Sequence, residues 1–286
     1  MIKTPLAKLA SFAAASIAVL VLVAACRNGT QLPDANETRV ATSQVTAARV
    51  PGFLQPAERP NALELLPAPP SPGSAAFAAD EEIYFSTREL RDTPRWRFAA
   101  SDANLGFPRA AGIFECALGV RISEATTPNL YVLLRRTVID AGQSTYPVKQ
   151  KYGRTRPFVD HGDTTCAPED EDTLRNNASY PSGHASLGWT WAMILAEIGP
   201  ARADALFVRG LQFGQSRVIC GVHRQSDVDA GRLIAAAVVA RLHGNAEFTA
   251  QLAQAKVEVA RASARGDRPT RDCDAEARTL ATVPTR

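Results

Sequence analysis

Three short segments carry side chains that together could handle a phosphoryl group. The first holds Lys149 and, seven residues on, Arg156 followed by Pro157. The second reads Pro181-Ser182-Gly183-His184. The third holds Ser216-Arg217, then His223, then Asp227. Apart, each has an ordinary explanation: a solvated helix face, a turn opening a helix, a surface His–Asp pair one helical turn apart. Together they supply what a bound phosphate needs. Lys149, Arg156 and Arg217 are three cations, and a guanidinium grips phosphate oxygens in pairs. Ser182 and Gly183 stand where a helix starts, so free backbone N–H groups and the positive dipole end favour an anion there. Glycine also lets the backbone approach closely. The two histidines can divide the chemistry, one attacking phosphorus and the other protonating the leaving oxygen. Asp227 can accept from one ring nitrogen of His223 and leave the other as nucleophile. That selects His223 for attack and leaves His184 as the general acid.

The elements that must position these residues read as helices. Ser74 to Arg91 is rich in helix formers. Asp92 or Thr93 can cap a helix with Pro94 in its first turn. Ala110 to Ile122 is apolar enough for a buried helix, and Thr127 can cap one that begins at Pro128. A polar loop is expected at 158–175. Helices follow over Ser182–Ile198, Ala201–Val218, Asp227–Leu242 and Ala246–Ala264. Residues seven apart on one helix lie about 10 Å apart. Pro157 disfavours helical geometry at Arg156, so that helix should end first and let Arg156 turn back to the site. No alternating pattern argues for strands. The fold class is therefore all-α, a single helical-bundle domain over 74–264.

The outer segments concern location. The chain has 286 residues with 45% apolar and 21% charged composition, ordinary for a globular protein. Its net charge of +3 shows no strong basic excess, which argues against a nucleic-acid partner. Lys3 and Lys8 precede an apolar run from Leu9 to Ala25, the pattern of an export signal over 1–25. A membrane anchor is the competing reading. Val23-Ala24-Ala25-Cys26 resembles a bacterial lipobox, which makes Cys26 a lipidation site and tethers the domain to a membrane. Arg27 after it points, by resemblance to Gram-negative sorting rules, to the outer membrane, facing the periplasm. Loss of residues 1–25 would remove two lysines and no acid, leaving +1. Residues 26–73 are Pro-rich and read as a tether plus an extended segment lying on the domain. Residues 265–286 read as a charged, frayed tail. Cys116, Cys166, Cys220 and Cys273 remain, an even number that suits two disulfides with three possible pairings. No zinc-type Cys/His spacing is present, so no metal is expected.

In their order, the three segments match the signature K-x6-RP, PSGH, SR-x5-H-x3-D. The chain thereby resembles the type 2 phosphatidic acid phosphatase superfamily, which includes vanadium haloperoxidases. More closely it resembles the class A bacterial non-specific acid phosphatases, over roughly residues 51–262. Further likeness lies in Leu65-Leu66-Pro67, Arg95-Trp96 to Asp102-Ala103, Arg156-Pro157-Phe158, and Gln215 to Asp229. The resemblance implies an all-helical, cofactor-free enzyme that hydrolyses small phosphomonoesters through a phosphohistidine, and a homodimer. It assigns His223 as nucleophile, Asp227 as its partner and His184 as general acid. Lys149, Arg156, Ser182, Gly183 and Arg217 would hold phosphate. Ala178 and Ala185 stand where the class usually has glycine and threonine around the second motif. Cys166 and Cys220 both fall near motifs, which pairs them and leaves Cys116 with Cys273. His161 and His243 read as structural, with substrate contact the alternative for His161 in its polar loop. The acidic run Glu169 to Asp172 reads as a solvated loop. Competing functions are a vanadate-dependent haloperoxidase, a lipid-phosphate phosphatase, or a lipoprotein that only binds phosphate.

Overall fold

In the computed structural model, residues 50–281 are described, and every regular element among them is helical. Helix α1 spans Ala75–Arg88, α2 Pro94–Ala103, α3 Pro128–Gln143 and α4 Tyr146–Tyr152. Helix α5 spans Gly183–Ile198, α6 Ala203–Ile219, α7 Gln225–His243, α8 Ala246–Arg265 and α9 Cys273–Leu280. The export signal, the lipobox and Cys26 lie outside the described residues. No described helix is long and apolar enough to cross a membrane.

The core is built around α5, because its sequence carries no charge before Glu197 and can be apolar on all sides. It packs along α6 and α7, and α3 covers a further side. Trp191 on α5 is fully buried, and its indole N–H donates to the Leu134 carbonyl and to Thr137 Oγ1. That bond meets the polar cost of placing a tryptophan in the core. Three helix starts follow the expected chemistry, whereas Thr127 stands before α3 without a side-chain cap bond, its hydroxyl engaged with the Ser123 backbone instead. Ser74 Oγ accepts from Phe77 N, Thr93 Oγ1 from Trp96 N, and Ser182 Oγ from Ala185 N.

Four segments depart from the sequence reading. The stretch Ala110–Ile122 is not one helix. It forms a 3-10 turn over Arg109–Phe114 and one α-turn over Glu115–Leu118. Glu115 then folds back to accept from Ile122 N and Thr270 N, which takes the following chain out of helical register. The loop at 158–175 contains helical turns at Pro157–Asp160, Pro168–Asp170 and Glu171–Arg175. A disulfide from Cys166 to Cys220 fastens it. The extended segment contributes more than a cover, since Phe53, Leu54, Ala62 and Leu66 join the main core. The supposed frayed tail contains α9, held by a Cys116–Cys273 disulfide and a buried Glu276. Patterning missed α9 because half of its eight residues are polar and the only one buried is a glutamate.

One helix crossing bears on the site. A Cβ added to Gly231 on α7 would lie 2.5 Å from the Ser182 carbonyl oxygen and 3.1 Å from Ala185 Cβ. The first of these is backbone and cannot swing aside. Gly231→Ala is expected to cost about 1–3 kcal/mol in denaturant unfolding. Because it pushes on the residue that starts α5, activity should fall further than stability alone explains.

Candidate active site

Six of the eight residues singled out in the sequence line one cavity of about 230 Å³: Lys149, Arg156, Gly183, His184, Arg217 and His223. Leu105, Val138, Tyr146, Leu174 and Leu187 give it apolar walls. Asp227 and Ser182 stand behind this lining.

Each side chain arrives by a local device. Lys149 sits on α4, which Gly153 closes in the left-handed region at φ 54°. The chain is then extended at Arg156 before Pro157, as the proline requires, so Arg156 leaves the helix axis and turns inward. Its Nε donates to the Leu174 and Asn177 carbonyls, and its Nη1 to the Val222 carbonyl and to His223 Nε2 at 3.0 Å. Lys149 Nζ donates to the carbonyls of Ala178 and Ser179. Position 178 thus contributes backbone, which alanine supplies as well as glycine does.

Ser182 caps α5, and its own N–H donates to the Asp227 carbonyl at 2.8 Å. Its N–H is therefore spent, and only its hydroxyl proton remains for an anion. The free donors of the helix start begin at Gly183 and His184, whose N–H groups have no intrahelical partner. Arg217 is 1% exposed, yet its Nε and Nη1 have no hydrogen-bond partner. A buried guanidinium left in that state is costly. An anion in the cavity it lines would supply the missing acceptors.

The histidines are oriented by different partners. His223 Nδ1 donates to Asp227 Oδ2 at 3.3 Å, so the Nε2 lone pair is the one that accepts from Arg156 Nη1 at the cavity lining. Asp227 is itself held by Arg224 N at 2.9 Å and by Arg154 Nη1 at 2.6 Å. Arg154 in turn bonds Ser226 Oγ and Asp80 Oδ2. His184 Nε2 donates to the Ala103 carbonyl at 3.0 Å, which leaves Nδ1 as its second ring nitrogen. Sequence reasoning did not find Arg154, Asp80 or the Ala103 carbonyl. Arg154 lies two residues from Arg156, and spacing alone does not say which of the two faces the cavity. Asp80 lies 74 residues from Arg154 with no local signal.

Burial and charge act together here. Burial first, then Arg156, pulls the Lys149 ammonium down to about 7. Burial lowers His223 well below the ordinary imidazole range, helped by Arg156, Lys149 and Arg217. Burial and then Arg217 do the same to His184. Burial and the neighbouring cations thus both favour the neutral form of each ring. Their folded pKa values lie below the unfolded value, so acid favours the unfolded chain. Stability of the empty protein is expected to fall as pH drops below about 6.5. A phosphate dianion offsets the three cations and raises both histidines. Binding of inorganic phosphate near pH 6 should therefore take up protons, measurable by calorimetry in buffers of different ionisation enthalpy. His184→Ala should reduce that uptake, and equal heats in all buffers would contradict this account.

The remaining sequence candidates lie elsewhere. His161 does not line the cavity. Its Nε2 is 2.8 Å from Glu81 Oε2, and its ring stacks on Tyr84. His243 bonds Glu197 and the Val239 carbonyl. In the acidic run, Glu171 accepts from Thr165 N and pairs with Arg175.

Three buried cations share one small cavity with the start of a helix, and two neutral histidines flank them. The class this defines is an all-helical protein built to take up a phosphoryl group. The PAP2 superfamily model matches residues 129–247, a span that contains all eight site residues. A non-specific acid phosphatase of Providencia stuartii is 45% identical over 210 residues, covering 73% of this chain and 85% of the relative. One from Salmonella typhimurium is 42% identical, covering 77% and 88% respectively. An acid phosphatase of Zymomonas mobilis is 39% identical, covering 70% and 76%. The chain belongs to the PAP2 superfamily, on the side of its non-specific acid phosphatases.

Proposed function

We propose that this enzyme is an acid phosphatase that hydrolyses small phosphate monoesters through a phosphohistidine and without a metal. The observation that carries the reading is Arg217, buried at the cavity with donors that lack acceptors. Arg156, Lys149 and the Gly183 N–H complete the grip on three phosphoryl oxygens. His223 Nε2 attacks phosphorus, and a P–N bond forms as the P–O bond to the leaving group breaks. The leaving oxygen takes a proton from His184 Nδ1. Water then attacks phosphorus and gives a proton back to His184, and the P–N bond breaks to return His223. Asp227 stabilises the ring while it carries positive charge. His184 must acquire its proton with the substrate, which suits an acidic to neutral working range.

The side chains already supply the cationic charge that a metal would bring to phosphoryl transfer. Hydrolysis of an aryl phosphate is therefore expected to be unaltered in excess EDTA. A brief quench with labelled substrate should trap label on the protein, stable to alkali and lost in acid. Loss of activity in EDTA, restored by a divalent cation, would overturn metal independence.

The same reading includes export and a lipid tether at Cys26, supported by the lipobox and by two disulfides, which persist in oxidising compartments. Homodimer formation is part of it by family resemblance. Cys26→Ser should move the protein from the membrane fraction to the soluble one.

A further inference from the structure

Helix α9 lies outside the matched span 129–247, yet its one buried residue reaches a network beneath the acid half of the site. Glu276 Oε1 is 3.5 Å from Arg209 Nε, and Glu276 Oε2 is 3.1 Å from Arg271 Nε. Arg209 is buried and holds Asp102 with both terminal nitrogens, Nη2 to Oδ1 at 2.5 Å and Nη1 to Oδ2 at 3.3 Å. Asp102 is wholly buried and also accepts from Ser216 Oγ at 2.7 Å. Ser216 Oγ in turn accepts from Arg95 Nη1 at 3.0 Å. The residue after Asp102 is Ala103, the last of α2, whose carbonyl accepts from His184 Nε2.

We propose that Asp102 is a positioning residue for His184 and that Glu276, on the disulfide-fastened α9, supports it through Arg209. The mechanical argument has three parts. A helix end frays unless something holds it, and α2 ends at the carbonyl that fixes the His184 tautomer. Asp102 anchors that end to α6 through Arg209 and Ser216. Arg209 pairs with the Asp102 carboxylate directly, Arg95 reaches it only through Ser216 Oγ, and Glu276 adds a second carboxylate beside Arg209. Removing the Glu276 charge leaves Arg209 less compensated and free to pull Asp102 from its place. The effect reaches His184 as a change in ring orientation, which sets whether Nδ1 meets the leaving oxygen.

The inference rests on the reading of His184 as general acid, and leaving-group chemistry separates the two. A nitrophenolate leaves without a proton, whereas an alkoxide needs one. The experiment measures kcat/KM of the full chain and its variants on p-nitrophenyl phosphate and on glycerol 2-phosphate. His184→Ala should lose far more on the alkyl ester than on the aryl ester. Glu276→Gln should lose about tenfold more on the alkyl ester, and Asp102→Asn a larger factor in the same direction. Should Asp102→Asn fail to fold, Glu276→Gln still decides. A purely structural role would lower both substrates by the same factor. Equal losses in Glu276→Gln, or none, beside a selective loss in His184→Ala would overturn this proposal and leave the acid assignment standing. No selectivity in His184→Ala would overturn the acid assignment and this proposal with it.

Discussion

Changing His223 to alanine is expected to lower turnover by about 10⁴-fold or more, on every phosphate ester, with the fold intact. The size follows from the mechanism: without Nε2 no P–N bond can form, and water attack from the same direction has no pre-placed nucleophile. Stability should change little by comparison, because both ring partners keep other bonds: Asp227 to Arg154 and to Arg224 N, and Arg156 Nη1 to the Val222 carbonyl. Steady-state hydrolysis of p-nitrophenyl phosphate tests the first claim, and thermal unfolding the second. The variant should also fail to trap label from substrate. Full activity in the variant would remove His223 from the chemistry.

Arg217→Met should separate stability from activity in the opposite sense. The guanidinium is 1% exposed and carries two unpartnered donors. Removing it takes away a donor aimed at the phosphoryl group, and kcat/KM is expected to fall by about 10²–10³. In phosphate-free buffer the variant should unfold at the same temperature or higher, because a desolvated and poorly compensated cation is gone. Phosphate at 100 times its Kd should raise the parent's stability by about 2.7 kcal/mol. The variant should lose most of that gain. A clear drop in unfolding temperature without phosphate would mean that Arg217 is held by the protein itself.

The motif residues were legible because their chemistry is local. Pro157 places Arg156 off a helix, Ser182 is a capping residue, and His223 with Asp227 falls one turn apart. Most of the large helices were legible for the same reason, since caps and apolar spacing announce them. Three things were not. Ser182 reads as offering a free backbone N–H, but that N–H bonds the carbonyl of Asp227, a partner 45 residues on, and leaves the hydroxyl as its donor. The Arg154–Asp80 and Arg209–Asp102 pairs join distant segments, and no short pattern encodes them. Helix α9 depends on a disulfide and one buried carboxylate rather than on an apolar stripe, so patterning had nothing to read.

The bond from Ser182 N to the Asp227 carbonyl has a bearing on selectivity. It ties the start of α5, which offers Gly183 and His184, to the first turn of α7, which orients His223. His223, His184 and Gly183 thus belong to one tied unit, with Gly231 and Ser182 in close contact at the seam. On the proposed reading, a stiff seam of this kind would concentrate recognition on the phosphoryl group, and tolerance of the alcohol would follow from stiffness rather than from a loose fit.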